Sequence, residues 1–149
     1  MKLPVEPDNE EHQRPQPLRI LCVDDEENIL KALRRFFRDE RLPMLMATTG
    51  AQGLAMLHSN DNIGLILSDQ RMPDMNGTDF LIAAKAYAPG IPRIILTGYA
   101  DKNIAQEAVR RGLAFRVLQK PWNEAELLQA VRDGLSGNIL NEDTAEQSM

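Results

Sequence analysis

The chain has 149 residues, a length suited to one domain built around a single buried core. Its 17 basic and 22 acidic residues give a net charge of −5 with no basic stripe, which argues against this chain alone holding nucleic acid. The longest apolar stretches are strand-sized and the N-terminus lacks an apolar signal core, so neither a membrane span nor a secretory signal is expected. The single cysteine, Cys22, reads as a core filler and permits no disulfide within the chain, which fits a reducing cytoplasm.

Residues 1–17, with several prolines among polar residues, are expected to form a flexible leader, and residues 18–137 the ordered domain. Arg19 to Val23 reads as a short buried strand running into Asp24-Asp25-Glu26-Glu27. A helix follows with Ile29, Leu33, Phe36 and Phe37 at helical spacing, and Pro43 beyond its end. Met44 to Ala47 is a second strand, and Thr49-Gly50-Ala51-Gln52 has the form of a capping box for a helix carrying Leu54, Met56 and Leu57. The apolar run from Ile63 to Ser68 is the third strand and ends at Asp69, before the turn residues Met72-Pro73-Asp74 and Asn76-Gly77. Gly77 to Tyr87 reads as a helix with Phe80, Leu81 and Ala84 inward. Arg93 to Leu96 is a strand ending at Thr97-Gly98. The helix after it, Asp101 to Arg111, turns Ala105, Ala108 and Val109 inward and stops at Gly112. Phe115 to Leu118 is the fifth strand and leads to Lys120-Pro121. The last helix has Asn123 as its N-cap and buries Leu127, Leu128, Val131 and Leu135, with Gly134 or Gly137 as its end. Residues 138–149 read as a disordered acidic tail, too short for a DNA-binding module.

Five strands alternating with five helices predict an α/β fold, a doubly wound five-stranded parallel sheet of flavodoxin-like order 2-1-3-4-5 with helices on both faces. In that order strands 1 and 3 are neighbours. Asp24, Asp25 and Asp69 then meet at the switch point, and Thr97 and Lys120 face the same crevice from the ends of strands 4 and 5. Acids so gathered are costly, because two carboxylates ~4 Å apart repel by ~4 kcal/mol at an effective dielectric of ~20. Such a cluster needs a cation or must hold protons, and hard oxygen ligands with several waters describe a Mg²⁺ site. Asp24 to Glu27 also suit a helix N-terminus and its dipole, and Asp69 alone also suits a turn cap. Neither of those roles brings Asp69, Thr97 and Lys120 to one edge.

The Asp24-Asp25 pair after strand 1, SDQRMPDMNG after strand 3, LTG after strand 4 and QKPW after strand 5 resemble the response-regulator receiver family of two-component signalling, over roughly Leu18 to Leu135. The resemblance implies that Asp69 is the phosphoacceptor, attacking a phosphoryl group carried by a histidine of a sensor histidine kinase or histidine phosphotransfer protein. It implies Mg²⁺, with Mn²⁺ as a substitute, held by Asp25 directly, by Asp24 through water, by Asp69 and by the backbone carbonyl of Arg71. Lys120 would contact a phosphoryl oxygen, the Lys120-Pro121 bond is often cis in the family, and Thr97 would move in to bond the new phosphoryl oxygen. Pro121 is expected to shape its loop, and Pro73 and Gly77 shape theirs and start a helix, as they would in any fold. It further implies a signalling protein rather than an enzyme with external substrates, acting on a downstream protein or on an output domain absent from this chain. A homodimer formed on phosphorylation is a further partner it allows.

One departure from the family pattern concerns readout. Many receivers carry Tyr or Phe three residues before the lysine, where this chain has Val117, so Tyr99 becomes the nearby aromatic available to report the change. The output surface expected is the face made by helix 4, strand 5 and helix 5, with Arg110, Arg111 and Arg116 offering positive charge. DQRMP, LTGYAD and KPW together are similar to receivers attached to transcriptional activators or cyclic-dinucleotide hydrolases. A haloacid-dehalogenase-like phosphohydrolase is the alternative from another class, but it needs Asp-x-Asp after strand 1, where this chain has Asp24-Asp25-Glu26. Trp122 reads as a packing anchor, and His12 and His58 lack metal-ligand spacing.

Overall fold

The computed structural model describes residues 17–137, so the expected leader before Pro17 and the tail 138–149 lie outside the described residues. The strands are β1 (Arg19–Val23), β2 (Met44–Ala47), β3 (Ile63–Asp69), β4 (Arg93–Thr97) and β5 (Arg116–Gln119). The helices are α1 (Glu27–Asp39), α2 (Gly50–Ser59), α3 (Gly77–Tyr87), α4 (Lys102–Arg110) and α5 (Glu124–Ser136). All strand pairs are parallel and the sheet order is β2-β1-β3-β4-β5, the expected 2-1-3-4-5.

Successive strand residues point to opposite faces, so the unbroken apolar runs of β1, β3 and β4 feed two cores at once. Leu21, Val23, Ile66 and Ile95 meet Leu57, Phe80, Ala84, Ala105 and Ala108 beneath α2, α3 and α4. Ile20, Cys22, Leu65, Leu67, Ile94 and Leu96 meet Leu30, Leu33, Phe37, Leu127 and Val131 beneath α1 and α5. Phe37 and Phe80 are fully buried, each adding about 2–3 kcal/mol of apolar burial. Cys22 is a free, buried thiol, and burial pushes its pKa up, so it is packing and not chemistry.

Several boundaries differ from the sequence reading, each for a local reason. Asp69 and Thr97 are the last residues of β3 and β4 and not the first residues beyond them, because the ladder pairs Asp69 with Leu96 and Thr97 with Gln119. In α1 the buried residues are Leu30, Leu33 and Phe37, and Ile29 and Phe36 are only half-buried. Thr49 caps α2 by accepting the Gln52 N–H at 3.0 Å. The Gln52 side chain, however, bonds the N–H of Thr48 at 2.8 Å, one residue earlier than a capping box requires. A short 3-10 turn, Tyr99–Asp101, precedes α4 and delays its start to Lys102. Gly137, at φ +81°, ends α5 in the left-handed region. Gly134 lies inside that helix, where a side chain would overlap Leu65 and Phe115.

Candidate functional site

The chain leaves β1 at Asp24, whose N–H donates to the Ala47 carbonyl at 3.1 Å and fixes where the acid stands. Its carboxylate is 2% exposed; Oδ1 accepts the Glu26 N–H at 2.9 Å and Oδ2 accepts the Lys120 ammonium at 2.8 Å. Asp69 is 5% exposed at the end of β3, with Oδ1 3.2 Å from Lys120 Nζ. Lys120 is positioned by its own N–H, which donates to the Thr97 carbonyl at 2.8 Å; its bond to Pro121 is cis. Glu26 lies 3.7 Å from the same ammonium. The crossovers thus deliver Asp24, Asp69 and Lys120 to one point, as their strand positions imply.

Asp25 is exposed beside them, and one carboxylate oxygen from each of Asp24, Asp25 and Asp69 lies within 4.8 Å of the others. A divalent cation binding oxygens at about 2.0–2.1 Å needs its ligand oxygens about 3–4 Å apart, a small closing of this group. Three acids against one ammonium leave the cluster short of positive charge, so the donor set fits Mg²⁺. The electrostatics agree. Burial, then the charge of Asp24, pushes the Asp69 pKa up to about 6 against the pull of Lys120. Burial likewise raises Asp24 despite its bonds to Lys120 and to the Glu26 N–H. At Lys120 burial acts downward, but the hydrogen bond and charge of Asp24, with Asp69, outweigh it and leave the ammonium firmly protonated.

Thr97, expected to face the crevice, is fully buried and not among the residues that line it; its hydroxyl donates to the Gly98 carbonyl at 3.2 Å. Arg71 stands on the crevice wall, with its Nε and Nη2 on the Asp101 carboxylate at 3.0 and 2.9 Å. These hydrogen bonds hold the Asp101 carboxyl below the usual carboxylate range. The pair clasps the β3–α3 loop to the turn before α4, above a crevice of about 340 Å³ that reaches Asp25, Glu26, Asp69 and Lys120. Sequence reasoning missed this clasp. Its one signal is that both residues follow neighbouring strands, β3 and β4, at the same sheet edge. A larger cleft of about 610 Å³ lies at the opposite end, around Leu18, Ile63 and Pro89, and holds no acid cluster.

The loop residues fall into two kinds. Gly77 is required, because a Cβ there would overlap the Asp69 carbonyl oxygen, and its N–H donates to the Gln70 carbonyl at 2.8 Å. Pro73 is exposed and shapes the loop before Asn76, whose side chain caps α3 by accepting the Asp79 N–H. Tyr99 is 78% exposed on the rim, whereas Val117 is half-buried on β5 opposite Ile95. The expected output face is less basic than its sequence suggests. Arg116 is tied to Asp133 at 2.9 Å and Arg110 to Glu107 at 2.8 Å, pairings that helix spacing and strand contact create.

A doubly wound parallel sheet with a buried aspartate, two further acids and a lysine at its switch point defines a signalling receiver. The chain belongs to the response regulator receiver domain family, whose model matches residues 20–132. It is 34% identical over 120 residues to the transcriptional regulatory protein GlrR of Escherichia coli, covering 80% of this chain and 27% of that protein. It is 31% identical to the transcriptional regulatory protein FixJ of Rhizobium meliloti, covering 75% and 54%. Among solved structures, a response regulator receiver domain protein from Clostridium thermocellum superposes with a TM-score of 0.77 at 31% identity, covering 83% of this chain and 98% of that one. The chain spans about a quarter of the length of several of the curated regulators it matches. It is a receiver domain, and the role of such domains is to be phosphorylated by a kinase.

Proposed function

We propose that Asp69 is the phosphoacceptor of this receiver. The observation that carries the reading is the meeting of Asp69 with Asp24, Asp25 and the Lys120 ammonium at one sheet edge. A carboxylate oxygen of Asp69 attacks phosphorus, the bond from phosphorus to the donor histidine nitrogen breaks, and an acyl phosphate forms. Asp24, Asp25, Asp69 and the Arg71 carbonyl are the groups that would hold Mg²⁺ or Mn²⁺, which when bound neutralises charge on the phosphoryl oxygens. Burial strips water from Asp69, and Lys120, already 3.2 Å away, is the cation that pairs with the phosphoryl group after transfer. No external substrate is turned over.

The donor is a histidine kinase or a histidine phosphotransfer protein in the cytoplasm. The readout runs through Thr97 and the 98–101 turn to α4, which packs through Ala105 and Ala108 and is held by less apolar area than its neighbours. Val117 has no hydroxyl to swing, so Tyr99 on the rim is the reporter. The receiver acts as one part of a longer regulator, a reading favoured by the small share of its relatives that it spans. Incubation with acetyl phosphate and MgCl₂, read by intact mass, tests the assignment. The wild type gains one phosphoryl group and Asp69→Asn gains none; an equal adduct on the variant removes Asp69 from the role.

A further inference from the structure

β2 is one of the two edge strands of the sheet, the other being β5, and it pairs only with β1 among the described residues. The carbonyls of Pro43 and Ala47 accept N–H groups from Ile20 and Asp24 of the β1 segment. Backbone direction alternates along a strand, so Met44 and Met46 present their N–H and C=O groups to the open side. Beside that edge a groove of about 390 Å³ has Leu42, Pro43 and Met44 as its floor and Arg34, Arg38 and Arg41 as its wall.

Two features mark those arginines. None has a carboxylate partner among the described residues, although the chain as a whole is acidic. Arg34 and Arg38 are one helical turn apart, so their like charges repel. Arg41 follows the end of α1 at φ +61°, a left-handed conformation that ordinarily selects glycine. Its side chain is exposed and lines the groove.

We propose that the β2 edge and this arginine groove bind an extended acidic peptide segment of a partner protein. The peptide backbone pairs with Met44 and Met46, its carboxylates meet Arg34, Arg38 and Arg41, and an apolar side chain lies over Leu42 and Met44. Charge selects the occupant. A second copy of this chain would set its own three arginines against these. A phosphodiester backbone has no amides to pair with the open N–H and C=O groups of the strand, and no apolar side chain to lie over Leu42 and Met44.

The probe is a fluorescein-labelled peptide of Glu-Val repeats, titrated with the full chain and read by anisotropy. Comparison peptides are Lys-Val repeats and Glu-Val repeats N-methylated at alternate amides; oligothymidylate is the nucleic-acid comparison. The Glu-Val peptide binds, and Arg34→Glu with Arg38→Glu weakens it by about tenfold or more, which is about 1.4 kcal/mol. The pair Arg110→Glu with Arg111→Glu, at the C-terminal end of α4, leaves it within about twofold. All four side chains are exposed, and an unchanged urea midpoint in each variant shows that the fold is intact. Hydrogen exchange of the bound wild type slows at the Met44 and Met46 amides and not at Leu45. Any of four results overturns the proposal: no binding, undiminished binding by the Arg34/Arg38 variant, equal binding of the N-methylated peptide, or equal binding of Lys-Val repeats or oligothymidylate. A peptide-independent dimer that the same variants abolish would assign the face to a second copy and overturn it as well.

Discussion

Gly77→Ala tests how tightly the loop behind Asp69 is specified. The added methyl would stand 2.8 Å from the Gln70 Cα and closer still to the Asp69 carbonyl oxygen, both of them backbone atoms. Carbon atoms pack at about 3.5 Å or more, so the β3–α3 segment must shift by about 0.7 Å or more, with no side chain able to yield. Overpacking of this kind costs about 1–3 kcal/mol. Gly77 also donates its N–H to the Gln70 carbonyl, so the shift strains the bond that closes the loop. Because Asp69 is one of the two residues struck, the acceptor moves too, and a displacement approaching 1 Å costs about 10²-fold in rate. Urea unfolding should therefore show a lower midpoint with an unchanged slope, and phosphorylation by acetyl phosphate should slow far more than the loss of folded protein explains. A variant with wild-type midpoint and wild-type rate would refute the close approach and the loop's role in placing Asp69.

Three further expectations follow from other contacts. Arg41→Gly should stabilise the domain by about 1 kcal/mol by relieving the positive φ, and a fall in urea midpoint would show that the arginine's packing outweighs its strain. Arg71→Ala leaves the Asp101 carboxylate, with its side chain only 12% exposed, without its bidentate partner. The 99–101 turn should then exchange its amides several-fold faster, whereas unchanged exchange would make the clasp decorative. Asp133 is held below its ordinary value by hydrogen bonds from Arg116 and Gln129. Its folded-state value being the lower one, its contribution is complete above about pH 4 and is lost as pH falls through the folded value. The stability gap between wild type and Asp133→Asn should be constant near neutrality and close in acid; a gap that widens in acid contradicts the pairing.

The strands, their order and the convergence of Asp24, Asp25, Asp69 and Lys120 were legible because each rests on local chemistry. Buried runs such as Ile63 to Leu67 have one reading, turn residues follow them, and parallel crossovers have one hand. Helix caps at Thr49 and Asn123 were legible for the same reason, since a cap is a contact across three residues, whereas Asn76 read only as a turn residue and its cap on α3 did not. What sequence could not show is partnership across long separations. Arg71 and Asp101 are far apart in the chain, and nothing in either loop names the other. Arg116 reads as free positive charge until Asp133, on α5, pairs with it, whereas Arg110 has Glu107 three residues earlier on its own helix, a pairing that helix spacing could have shown. The direction of the Thr97 hydroxyl, onto Gly98, depends on a rotamer that composition does not encode. The left-handed Arg41 was hidden because an arginine gives no hint of positive φ.

The central claim is that a phosphoryl group arrives on Asp69, and an acyl phosphate can be located chemically. Borohydride reduces an aspartyl phosphate to homoserine and leaves free carboxylates untouched, so the modified residue is permanently marked. The wild type should be treated with acetyl phosphate and MgCl₂, reduced with borohydride, digested and mapped by peptide mass spectrometry. The account predicts a single homoserine at position 69, absent when Mg²⁺ is chelated and absent from Asp69→Asn. Homoserine at position 24 or 25 with Asp69 intact would contradict it.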